Sequence, residues 1–193
     1  MDNVHLFELI NAGPGLGAVP LAFARGIAKW AAWTVPLGVG AAWSRADPGL
    51  RLEMLELGLS ALFGALAAWI IGGLWPHARP DVLHLGVQHA VDLADDVWPC
   101  TAVMPLWCAA LSALGLHRLA VWGFPLLALG LVVGWSRVFL GVNLPYDVLA
   151  ALPAAAAVAL AVRALRHRML PRALHYHARL MQKWRGWQGR RRR

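Results

Sequence analysis

Gly134-Trp135-Ser136-Arg137-Val138-Phe139-Leu140-Gly141-Val142-Asn143-Leu144-Pro145-Tyr146-Asp147 is the stretch that decides how this chain is read. It lies where one apolar run ends and the next begins. An Arg, an Asn and an Asp stand there at a cost that a membrane protein does not meet without reason, so they are candidates for function. Working outward, Trp75-Pro76-His77-Ala78-Arg79-Pro80 closes an earlier apolar run, and Trp98-Pro99-Cys100-Thr101-Ala102 opens the run between them. The three segments are expected to meet at one membrane face and form one site.

The composition places the site in a membrane. Of 193 residues, 59% are hydrophobic and only 15% are charged, which is not the balance of a soluble domain. Trp30, Trp33, Trp43, Trp75, Trp98 and Trp135 sit near the ends of apolar runs, as an interfacial aromatic belt requires. Residues 1–12 hold Asp2 and Glu8 but no Lys or Arg, a poor start for a cleavable signal.

These patterns predict an all-α protein: a polytopic transmembrane helical bundle of about five spans, with an N-terminal interfacial helix. Val4, Phe7 and Ile10 are spaced for that short surface helix, and Gly13-Pro14-Gly15 breaks it. The spans are expected over about 17–43, 53–75, 99–115, 119–136 and 147–165. Arg25 and Lys29 share one face of the first span, either snorkelling to the interface or pointing at an anionic headgroup. Glu53 and Glu56 suit the N-terminal turn of the second. Residues 1–165 then form a membrane-embedded domain and residues 166–193 a basic tail.

Charge orients the bundle. Eleven of the 18 Lys and Arg lie from Arg163 onward, and no acid follows Asp147. Five spans put Arg45, Arg51, Arg118 and the tail on one side, and Arg79, Arg137 and most of the loop aspartates on the other. The positive-inside rule makes the tail cytoplasmic and the three site segments external, in the inner membrane. The tail reads as a topology anchor that also touches anionic lipid; nucleic acid is not an expected partner.

The site residues suggest phosphate. Arg79 and Arg137 at neighbouring span ends could fork around phosphate oxygens. Asp147, four residues after Asn143, would share its face if the segment were helical. An Asp so placed orients a histidine as nucleophile or base, and here the partner is an Asn.

Taken together, Leu6-Phe7-Glu8-Leu9-Ile10-Asn11-Ala12, Leu74-Trp75-Pro76-His77-Ala78-Arg79-Pro80, Ala94-Asp95-Asp96 before Trp98-Pro99, and Trp135 to Asp147 resemble the type 2 phosphatidic acid phosphatase family, in particular its bacterial undecaprenyl-diphosphate phosphatase branch. The resemblance covers nearly the whole chain. The family carries Lys-x6-Arg-Pro, Pro-Ser-Gly/Asp-His and Ser-Arg-x5-His-x3-Asp. It implies that the last His attacks phosphorus with its Asp orienting it, that the second-motif His protonates the leaving group, and that the Arg and Lys residues bind phosphate. Arg79, Pro80, Pro99, Ser136, Arg137 and Asp147 match. Gly72 replaces the first Lys, a change the undecaprenyl branch tolerates. Cys100, Thr101 and Ala102 replace the Ser, the Gly or Asp, and the acid His, while Asn143 replaces the nucleophile.

Both catalytic imidazoles are therefore absent, and loss of a nucleophile costs on the order of 10⁴–10⁶ in rate. The expectation is a pseudophosphatase that binds a polyprenyl or lipid phosphate through Arg79, Ser136 and Arg137, or that serves as a subunit of a membrane assembly. One alternative is an active lipid phosphatase using Cys100, placed at a helix N-terminus where thiols are activated. Another is a purely structural accessory subunit. No cofactor is expected. His77, His84, His89, Asp92, Asp95 and Asp96 match no recognised metal spacing.

Overall fold

The computed structural model describes residues 2–75, 79–90, 93 and 98–166. They build an all-α helical bundle: α1 (Asn3–Ile10), α2 (Ala18–Trp30), α3 (Thr34–Trp43), α4 (Pro48–Leu74), α5 (Met104–Leu114), α6 (Ala120–Phe139) and α7 (Pro145–Arg166). Of these, α4, α6 and α7 are long and apolar enough to cross a membrane. The helical bundle read from the sequence is thus present.

Two of the five expected spans take another form. The first is interrupted, because a 3-10 turn at Ala31–Trp33 separates α2 from α3. Pro36 explains the break: it has no N–H for the Ala32 carbonyl, and its ring crowds that oxygen. Thr34 Oγ1 donates instead to the Ala31 carbonyl at 2.6 Å. The third expected span begins as turns over 98–103, and only its second part is the helix α5. Non-helical backbone at membrane depth is tolerated where protein covers it, and Pro99 and Cys100 are completely buried.

α5 is the centre of the bundle, packed between α4 and α6. Met104, Leu106, Trp107, Cys108, Ala109, Ala110 and Ala113 are all buried, the mark of a helix apolar on every side. α4 turns Ser60, Gly64, Ala68 and Gly72 inward, one small residue per turn, which lets neighbouring backbones approach closely. Ser60 Oγ donates across that contact to the Cys108 carbonyl at 3.1 Å. On α6, a Cβ at Gly130 would lie 2.3 Å from the Trp107 indole nitrogen, so the close approach there needs glycine.

α4 starts earlier than its apolar pattern suggests. Asp47 caps it, accepting from Leu50 N at 2.8 Å, with Pro48 in the first turn. The acids assigned to its first turn consequently serve its neighbours. Glu53 Oε2 accepts from Arg118 N at 3.0 Å and Leu119 N at 3.3 Å, at the start of α6. Glu56 is buried and pairs with Arg166 of α7. Asp47 also takes Arg118 Nη1 at 2.6 Å, and that guanidinium, with the Leu50 N–H, holds the Asp47 carboxyl below its ordinary range. One end of the bundle is thereby tied by ion pairs; the other carries the site.

The N-terminal helix leaves Val4 and Leu9 exposed, while its other face is anchored to the bundle. Phe7 is completely buried within the main core, and Ile10 packs against that core. Asn3 Oδ1 accepts from Tyr146 N at 3.0 Å at the start of α7. Hence α1 docks onto the bundle as one of its parts. The tail beyond Arg166, and His77, Asp92, Asp95 and Asp96, lie outside the described residues.

Candidate functional site

Arg137 occupies the last turn of α6, where the carbonyl end of the helix favours a cation. The helix then closes in a Schellman motif. Gly141 N donates to Val138 O at 3.0 Å and Val142 N to Arg137 O at 2.9 Å, with Gly141 left-handed at φ +79°. This reversal folds the following residues back over α6. Asn143 therefore reaches the side chain of Arg137, six residues earlier, and Arg137 Nε donates to Asn143 Oδ1 at 3.0 Å. Arg137 Nη2 donates to the Leu93 carbonyl at 3.2 Å. Both residues are at least 95% buried, at 5% and 3% exposure, so these bonds form away from bulk water and count for more.

α7 begins immediately afterwards, with Pro145 at its first position. Asp147 Oδ2 reaches back to accept from Leu144 N at 2.9 Å, the acidic half of a capping box. Its own carbonyl accepts from Cys100 N at 3.3 Å, which draws the 98–103 turns against the head of α7. Cys100 Sγ then points at Asn143 Oδ1 from 3.9 Å. Arg137 and Cys100 converge on the single amide oxygen of Asn143, with Asp147 bracing the turn behind it.

Several expected residues behave otherwise. The Asn143–Asp147 pair does not share a helical face, because Asn143 lies in the turn before α7. Ser136 is completely buried, and its hydroxyl donates to the Val133 carbonyl of its own helix at 2.7 Å. Arg79 is gripped two residues away, with Nε on Asp81 Oδ1 at 3.2 Å and Nη2 on Asp81 Oδ2 at 2.7 Å. The expected fork is therefore not made of two like arginines: one is deeply buried, while Arg79 is about a third exposed and ion-paired. Cys100 precedes α5 by four residues and is completely buried, rather than capping an exposed helix start. Thr101 and Ala102 are partly buried beside it. Among the described residues no group of His, Cys, Asp and Glu is gathered as a metal ion requires.

Sequence reasoning missed what surrounds the site. Arg25 of α2 does not simply snorkel: it donates to the His89 carbonyl. His89 N donates to the Leu140 carbonyl at 3.0 Å, and its ring Nε2 lies 2.9 Å from the Ala12 carbonyl. Since a carbonyl only accepts, that nitrogen carries the proton. Asn11 is bonded to both Val87 and Phe139. The sequence signals for Asn11 were its place at the end of an apolar helical pattern, just before Gly13-Pro14, and in the N-terminal segment of the family resemblance.

Comparison with known proteins gives one clear result and two blanks. No protein-family model matches the chain, and no solved structure matches it. Among curated proteins, "Putative undecaprenyl-diphosphatase YbjG" of Escherichia coli (strain K12) is 34% identical over 151 residues, spanning 78% of this chain and 75% of that protein.

Proposed function

We propose, because this chain belongs to the undecaprenyl-diphosphatase family of type 2 phosphatidic acid phosphatase-like membrane proteins, that it retains the family's phosphate pocket without its turnover. The protein holds a polyprenyl or lipid (di)phosphate at the outer face of the inner membrane, alone or as a subunit of a membrane assembly. The observation that carries this reading is the buried Arg137–Asn143 bond. A guanidinium suited to phosphate is kept inside the bundle, and the residue beside it is an amide. An amide nitrogen does not attack phosphorus, because its lone pair is delocalised into the carbonyl. Ala102, at the position of the acid, has no proton to give.

The test is phosphate release from undecaprenyl diphosphate by the purified protein, run beside equilibrium binding of the same lipid. Saturable binding with release no faster than the buffer control is expected. The nearby Cys100 thiol supports one second reading, in which it attacks in place of Asn143. Robust release that disappears in Cys100→Ser would establish that reading and remove the first. Absence of saturable binding would leave the structural-subunit reading.

The sidedness follows from the charge pattern. The site loops face outward, and the Arg-rich tail after Arg166 faces the cytoplasm. A single cysteine placed at His84, in a variant lacking Cys100 and Cys108, should label from outside intact cells. Labelling only after the inner membrane is permeabilised would reverse the orientation.

A further inference from the structure

We propose that Asn11 is a positioning residue for the anion site: it caps the carbonyl end of α6 from another part of the chain, so that Arg137 can serve an anion. The proposal rests on the reading of Arg137 as the phosphate anchor. It begins from the helix end itself. The last carbonyls of a helix have no partner within the helix, and they carry its partial negative charge. At the end of α6 that charge lies beside the residue expected to hold a phosphate, which it would repel.

The structure accounts for each of these carbonyls. Ser136 O accepts from Leu140 N at 3.0 Å, and the Schellman turn takes Arg137 O and Val138 O. The next two are satisfied from elsewhere. Phe139 O accepts from Asn11 Nδ2 at 3.3 Å and from Ala12 N at 2.9 Å. Leu140 O accepts from His89 N at 3.0 Å. The N-terminal segment and the 87–89 segment thus close the helix end together.

Asn11 joins those two segments. Its Oδ1 accepts from Val87 N at 2.8 Å, and its Nδ2 donates to Val87 O at 3.1 Å as well as to Phe139 O. The amide orientation follows from its partners, since an N–H and two carbonyls leave one consistent assignment. No other uncharged side chain of this length offers an acceptor and two donors in one plane. The fit is close on both sides. Gly86 (φ +60°) would place a Cβ 2.3 Å from Asn11 Oδ1, and Gly141 (φ +79°) would place one 2.5 Å from Val87 O.

Two effects on Arg137 follow. A donor on the terminal carbonyl weakens the negative end of α6 next to the anion. It also removes an acceptor onto which an arginine in the last turn of a helix readily folds. Arg137 is left directed at partners that include Asn143 and Leu93.

The experiment uses the full chain in lipid nanodiscs and a short-chain polyprenyl phosphate as probe. Binding is titrated for wild type, Asn11→Ala, Asn11→Asp, Arg137→Ala and the Asn11→Ala/Arg137→Ala double variant, and the Arg137 Nε–H resonance is recorded by NMR. Asn11→Ala should weaken binding roughly 3- to 10-fold, the scale of one hydrogen bond, and shift the Arg137 resonance. Asn11→Asp should weaken it further, having lost both donors and gained a negative charge. In the Arg137→Ala background, Asn11→Ala should cost nothing more. Wild-type affinity with an unmoved resonance in Asn11→Ala overturns the proposal, as does a loss that adds in full to that of Arg137→Ala, which marks a merely structural residue. If wild type itself binds no probe, the phosphate reading fails. The Arg137 resonance then still decides whether Asn11 positions that side chain.

Discussion

Arg137→Ala should weaken binding of a short-chain polyprenyl phosphate about 10- to 100-fold, the equivalent of one charge-assisted hydrogen bond of roughly 1.5–3 kcal/mol. The size of the effect comes from where the guanidinium sits. It is 5% exposed, and the groups that hold it include Asn143 Oδ1 and the Leu93 carbonyl. An anion entering the site meets a cation that is already desolvated and oriented, so little is lost to ordering it. Arg137→Lys should recover only part of the loss, because an ammonium lacks the planar fork that bonds Asn143 and a phosphate at once. Arg79→Ala should cost less, since Arg79 is partly exposed and must leave Asp81 to reach an anion. The three variants titrated beside wild type decide the matter. Equal binding by wild type, Arg137→Ala and Arg79→Ala would put the pocket elsewhere in the fold.

That contrast between the two arginines was not legible in the sequence, where both close an apolar run and both match a motif. What separates them is local geometry. Asp81, two residues along, can clasp Arg79 within its own turn, whereas the Schellman turn at Gly141 hides Arg137 and delivers Asn143 to it. The readable features were those set by nearest neighbours along the chain: the apolar runs of α4, α6 and α7. The unreadable ones depend on what a distant segment supplies. Pro36 was visible, but its power to split the first span depends on whether neighbouring helices tolerate the break. Glu53 and Glu56 looked like first-turn acids of α4, yet they bond the start of α6 and the end of α7. Asn11 looked like the end of a surface helix. Its partners are Val87 and Phe139, 76 and 128 residues away, and no local pattern encodes them.

Installing imidazoles at the two vacant positions should have the largest effect of all on turnover. In the Asn143→His/Ala102→His double variant, phosphate release from undecaprenyl diphosphate should rise at least ~10²-fold above wild type. This is a fraction of the roughly 10⁴–10⁶ that a nucleophile is worth. A ring nitrogen of the imidazole introduced at position 143 forms a bond to phosphorus, the P–O bond to the lipid phosphate breaks, and the departing oxygen takes its proton from the imidazole at position 102. Water then cleaves the phosphorus–nitrogen bond. Much of the support is already present. Arg137 Nε lies 3.0 Å from the side chain of Asn143. Asp147 is buried one turn along, its Oδ2 on Leu144 N. The 98–103 turns are pinned to Asp147 through Cys100 N. Either single variant should gain little, because attack without protonation leaves a poor leaving group, and protonation without attack leaves no new bond. Groups that act as a unit are non-additive in this way. A double variant that folds and binds the lipid as wild type does, yet releases no more phosphate, would show that the two imidazoles are not the missing parts. The cause of the proposed lack of turnover would then lie in the pocket itself, where Ser136 bonds its own helix and Arg79 is held by Asp81.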